Sequence, residues 1–200
     1  MARNPDTNQQ MKDARREQIL EAALKLFSQK GLAATKIADI ARSADMAQGL
    51  LYHYFGSKEN IYIELVRDAF IRINQACQWL EDQPLTGREK IDMAVSSILE
   101  NLVTSETSPL YHLLVVQATT SQATPEAALE VIREQNRLPY ESLARIMAAG
   151  QQEGGILPGD PMQLAQMFWI AIKGLALHRI AHEDAFEMPD KSIVLRMFLN

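Results

Sequence analysis

Residues 33–63 read AATKIADIARSADMAQGLLYHYFGSKENIYI. Thr35 is a suitable N-cap for a short helix over Lys36–Ser43, in which Ile37, Ile40 and Ala41 supply a buried side. Asp45 falls at the following turn, where Asp tolerates a left-handed backbone better than most residues. A third helix is expected from about Ala47 to Tyr54, with Leu51 facing inward alongside Ala47 and Phe55. Gly56 breaks it, and Ser57 caps a long fourth helix, about Lys58–Glu81. Two short helices about a tight turn form a helix-turn-helix, which offers the end of its second helix to a DNA major groove. Gln48 and Tyr52 share one side of that helix, with Gly49 and His53 beside them, and this side is the candidate recognition surface. Lys58 and the first amides of the fourth helix point the same way, an arrangement that suits a phosphate.

Before this stretch, Ile19, Ala22, Ala23, Leu26 and Phe27 make an apolar stripe on a first helix over about Asp13–Lys30, and Gly31 ends it. Residues 1–12 are polar and contain Pro5, so a mobile arm is expected there; Arg3 and Lys12 are positioned either to follow a DNA groove or simply to be solvated. Beyond Pro84 and Gly87 the pattern stays helical. Segments are expected at about 88–104, 109–119, 125–153, 161–182 and 190–199, with Pro139 kinking or breaking the third of these. No alternating strand pattern exists, so the chain reads as all-α, with about nine helices. The expected division is an arm (1–12), a three-helix helix-turn-helix domain (13–57) and a larger helical domain (58–200).

The 47% hydrophobic and 22% charged fractions are those of a globular protein with a sizeable core. No apolar run reaches the roughly 18 residues that a membrane helix needs, and the first residues hold no apolar signal core. With a single cysteine, Cys77, the expected setting is a reducing cytoplasm. A net charge of −5 argues at first against a nucleic-acid partner, but its distribution is uneven. Residues 1–60 hold nine Lys/Arg against seven Asp/Glu, and residues 61–200 hold 11 against 18. DNA contact is therefore expected on one small amino-terminal face.

Thr35-Lys36-Ile37-Ala38-Asp39-Ile40-Ala41, followed at this spacing by Leu51-Tyr52-His53-Tyr54-Phe55-Gly56-Ser57-Lys58-Glu59-Asn60, resembles the TetR family of bacterial transcriptional repressors. The close match covers about residues 15–63. The resemblance implies a homodimer on a palindromic double-stranded DNA operator, released by a small-molecule effector; a transcriptional activator, or a regulator without an effector, is the alternative. It also implies that Gln48, Gly49 and Leu50 lie at base edges, and that Thr35, Lys36, Tyr52, His53, Tyr54 and Lys58 lie at phosphates. Four positions depart from the common family pattern: Asp45 stands where glycine is usual, Ala47 where a hydroxyl cap is usual, Gln48 where a basic residue is common, and Leu50 where a small hydroxyl residue is common.

An effector cavity would draw on the chain's methionines and aromatics, which suit a plain core equally well. The candidates are Trp79, Tyr111, His112, Gln117, Met147, Trp169 and Lys173. Glu100 and Glu134 would favour a cationic effector if they faced it, and are otherwise a solvated surface. The last two helices are apolar over much of their surface, which divides between core and dimer interface. Ala171, Gly174, Leu175, His178, Val194, Met197 and Phe198 are the interface candidates.

No catalytic residue, metal or cofactor is expected. His178 and His182 stand four apart but lack an evident third ligand, and no Ser/His/Asp order or phosphate loop stands out. An enzyme, or a helical adaptor using the helix-turn-helix only for protein contact, are the competing classes.

Overall fold

In the computed structural model, which describes residues 5–200, these residues form ten α-helices and a 3-10 turn at Glu183–Ala185. The helices are α1 (Pro5–Ala34), α2 (Ile37–Ser43), α3 (Gln48–Phe55), α4 (Lys58–Glu81), α5 (Gly87–Thr104), α6 (Ser108–Thr120), α7 (Glu126–Gln135), α8 (Leu138–Gln152), α9 (Pro161–His182) and α10 (Lys191–Leu195). Their only strand-like pairing is an isolated bridge between Ile156 and Leu199. The chain is therefore all-α, as its pattern implies. The segment expected over 125–153 is two helices, because the chain turns at Asn136-Arg137 and Pro139 takes a place in the first turn of α8, where its missing amide costs nothing.

Helix α1 begins at Pro5, eight residues earlier than its apolar stripe suggests. Within the described residues the expected arm is thus helical, and Gln9 donates to Asp13 one turn on (2.9 Å). Arg3 lies outside the described residues. Gly31 (φ 74°) interrupts α1, and Gly56 (φ 76°) ends α3. Side chains cap several helix starts. Ser57 accepts from the Asn60 amide (3.1 Å), Thr86 and Glu89 form a reciprocal capping box, and Asp160 accepts from the Met162 and Gln163 amides.

Two apolar cores result. The first joins α1 (Ile19, Leu20, Ala23, Leu24, Phe27), α2 (Ile40, Ala41) and α3 (Leu51, Phe55) to the first half of α4 and to Leu114, Val115, Ala118, Ala128, Val131 and Ile132 from α6 and α7. The second packs Leu80 at the end of α4 with residues of α5, α8, α9 and α10, including Phe168, Trp169 and Phe198. Helix α4, 24 residues and about 36 Å long, belongs to both.

Candidate nucleic-acid interface and interior cavity

The helix-turn-helix is built largely as its sequence reads. Asp45 holds φ 50°, the left-handed turn conformation. Gln18 of α1 donates to the Ala44 carbonyl (2.8 Å), tying the turn to the domain. Helix α3 has Ala47 as its N-cap with no side-chain cap bond, an omission worth about 1 kcal/mol. Leu51 and Phe55 are buried, while Ala47, expected inward, is exposed. Gln48, Gly49, Tyr52 and His53 are exposed on one side, with Leu50 and Tyr54 half-buried at its margin. Lys36 is exposed at the start of α2.

Two expected phosphate ligands are engaged elsewhere. The Thr35 side chain is fully buried, and its hydroxyl donates to the Gly31 carbonyl (2.7 Å); Lys36, one residue later, occupies the N-cap position of α2. The Lys58 ammonium meets the carbonyls of Leu32 (2.9 Å), Ala33 (3.4 Å) and Thr35 (2.8 Å). An ammonium has three donors, so all are used inside the protein. Lys58 is a strut between α4 and the end of α1, a cation placed at a helix carboxyl end.

A cavity of about 400 Å³ lies between α4, α5, α6, α8 and α9. Of the seven effector candidates, Trp79, Tyr111, His112 and Trp169 line it. The other three do not. Gln117 donates to the Ser28 carbonyl across the α1–α6 seam (3.1 Å), Met147 is fully buried in the second core, and Lys173 binds the Tyr140 hydroxyl (3.0 Å). Neither Glu100 nor Glu134 reaches the lining.

The sequence reading missed Arg72, Ile73, Ala76, Met93, Ser97, Ile98 and Asn101. A signal existed: Ala69, Arg72, Ile73, Ala76, Cys77 and Leu80 recur at i, i+3, i+4, i+7, i+8 and i+11, a second stripe along α4. Burial, with a smaller push from Glu81, raises the Cys77 thiol to about 12, so it stays protonated and inert at neutral pH.

His112 is held neutral. Burial, and secondarily the Lys173 charge, lower its pKa from 6.5 to about 4. Between those values the unfolded chain takes up a proton that the folded chain refuses, so stability rises with pH across the window. Acidification from pH 7 to 5 should remove about 2 kcal/mol through this group. In His112→Gln that part of the loss should vanish in urea unfolding, and identical pH slopes for the two proteins would contradict it.

The carboxyl-terminal face also departs from expectation. Val194 and Phe198 are buried in their own subunit's core, with the Phe198 ring 5.6 Å from Phe168, because α10 packs on α5. Leu175 is half-buried against the same core, and Ala171 is half-buried as well. Gly174, His178 and Met197 are exposed. They are joined by Met167, Ile170 (60% exposed) and Ile193, which the sequence reading did not select. The His178 and His182 ring centres lie 4.0 Å apart with the planes tilted by 50°, and among the described residues no group of three His, Cys, Asp or Glu is placed to hold a metal. No described helix is long and apolar enough to cross a membrane.

Residues 19–65 match the family model described as bacterial regulatory proteins, tetR family. Over 167 residues the chain is 25% identical to the HTH-type transcriptional repressor KstR2 of Rhodococcus jostii, covering 81% of this chain and 80% of that protein. The crystal structure of the MbdR regulator from Azoarcus sp. CIB superposes with a TM-score of 0.78 at 23% identity, covering 91% of this chain and 95% of that one. A protein of Saccharomonospora viridis described as a transcriptional regulator, solved in complex with choline, superposes with a TM-score of 0.70 at 19% identity over 94% of this chain and 99% of that one. Residues 19–65, which hold the helix-turn-helix, are therefore a domain of the tetR family of bacterial regulatory proteins, set in an all-helical fold that these solved structures share.

Proposed function

We propose that the chain is a ligand-responsive transcriptional repressor that binds a palindromic operator as a homodimer and is released by a small-molecule effector. The observation that carries this reading is the reach of α4. The helix starts directly after α3, across the break at Gly56-Ser57, and its second half, from Ala69 to Leu80, walls the cavity. A molecule that fits the cavity in only one setting of α4 would shift the spacing of two recognition helices, provided it binds the two settings with different affinity.

In this reading residues 13–57 read DNA and residues 58–200 hold the effector and the dimer contacts. Gln48, Gly49 and Leu50 meet base edges, and Lys36, Tyr52, His53 and Tyr54 meet phosphates. Thr35 and Lys58 keep the helix-turn-helix in shape. The face formed by Met167, Ile170, Gly174, His178, Ile193 and Met197 lies against its symmetry mate, because exposed apolar side chains around a small residue suit close helix packing across a two-fold axis.

Binding to DNA selected from a random pool, measured against salt, tests the reading. A phosphate-based binder must weaken steeply as salt rises. A folded dimer that binds no DNA at low salt would sink it. Gln48 is suited to an adenine N6/N7 pair, so Gln48→Ala should lose about 1–3 kcal/mol of discrimination at one base pair of each half-site. Unchanged base preference in that variant would remove Gln48 from the recognition set.

A further inference from the structure

The lining of the cavity contains no Asp or Glu, and its one fully charged side chain is Arg72. The Arg72 guanidinium stands 5.4 Å from the centre of the Tyr111 ring and makes no hydrogen bond or ion pair among the described residues. Asp68, one turn earlier on α4, influences the Tyr111 hydroxyl, as do Glu17 and Glu21 of α1, but none of the three enters the lining. Two turns further along α4 from Arg72 stands Leu80, and with Leu143, Phe168 and Trp169 it gives the cavity an apolar wall, the last two rings edge to face at 5.6 Å. The volume lies within the roughly 300–1,000 Å³ of small-molecule sites.

We infer that the cavity takes an amphipathic organic monoanion, its apolar body among Leu80, Leu143, Phe168 and Trp169 and its carboxylate at Arg72 beside the Tyr111 hydroxyl. This rests on the cavity being the effector site. A guanidinium without a carboxylate partner offers paired donors in the geometry a carboxylate accepts. Aromatic walls alone would suit an ammonium equally well. A cation would nevertheless meet Arg72 with no acid in the lining to offset it, so the sign of the one charge decides between the two.

Both tryptophans of the chain, Trp79 and Trp169, line the cavity, so intrinsic fluorescence reports its occupancy. The full chain, without DNA, is titrated with octanoate, octanol and octyltrimethylammonium, which share a tail and differ in charge. Octanoate should bind at least about tenfold more tightly than either of the others. In Arg72→Met that preference should disappear while octanol affinity stays the same, a result that a merely structural role for Arg72 would not produce. Octanol or octyltrimethylammonium binding as tightly as octanoate, a preference retained in Arg72→Met, or no binding by any of the three would overturn the inference. Operator binding is measured separately. A chain that prefers octanoate yet binds no DNA keeps the ligand class and loses only the repressor reading.

Discussion

Replacing Gly87 with alanine is expected to lower stability by about 3 kcal/mol or more and the melting temperature by about 10 °C. Helices α5 and α8 meet glycine to glycine. A Cβ on Gly87 would lie 2.4 Å from the Gly150 Cα, 2.6 Å from its nitrogen and 2.9 Å from the Ile146 carbonyl oxygen. These are backbone atoms of a helix, so no rotamer change relieves the overlap and the two helices must separate. Separation would also stretch the bond from the Gly87 amide to the Glu153 carboxylate, now 2.7 Å. A Cβ on Gly150 would instead meet the end of the Ile156 side chain first, at 2.4 Å, so Gly150→Ala should be the milder change. Thermal unfolding of both variants checks the order. A Gly87→Ala protein melting within about 2 °C of the parent would show that the crossing has slack. Because α5 and α8 both wall the cavity, a folded Gly87→Ala protein should also give a smaller fluorescence response to cavity ligands.

That crossing marks where sequence reading stops. Gly87 reads as a break beside Pro84, and the structure makes it the first residue of a helix, small because another backbone passes against it. Nothing local in the chain records that approach. The turn and glycine stop of the helix-turn-helix were legible for the opposite reason, since they and the apolar spacing are decided within a few residues, whereas the cap expected of Thr35 fell one residue later, at Lys36. The amino-terminal extension of α1 was hidden because a solvated helix carries no apolar stripe to find. At the carboxyl end, Val194 of α10 and Phe198 just beyond it share an apolar stripe with Ile193 and Met197. Only the docking of that helix on α5 decides that the first pair is buried and the second exposed. Gln117 is polar in apolar surroundings, the pattern also expected of a ligand-facing group, yet it serves the seam between α1 and α6. What can be read locally is the motif's own turn and apolar spacing; where the cavity and carboxyl-terminal candidates lie depends on which helices become neighbours.

Lys58 shows the same limit within the motif and leads to the second large effect. Lys58→Met should lower stability by about 2–4 kcal/mol and the melting temperature by roughly 5–12 °C, because it removes a charged donor from the carbonyls of Leu32, Ala33 and Thr35. Those carbonyls belong to the end of α1 and the lead into α2, so their release loosens the support under the helix-turn-helix. DNA affinity should therefore fall at least about tenfold for every sequence, through a lost scaffold rather than a lost contact. The salt dependence separates the two causes. A direct phosphate ligand, once removed, lowers the slope of log affinity against log salt by about one and leaves folding intact. A strut, once removed, lowers the melting temperature and leaves the slope of the remaining folded protein unchanged. Lys58→Arg should rescue little, because a planar guanidinium cannot aim its donors at three carbonyls that converge on one ammonium. A Lys58→Met protein that melts like the parent and loses one unit of salt slope would return Lys58 to the phosphate backbone, with the carbonyl contacts as the resting place of a side chain that swings out to DNA.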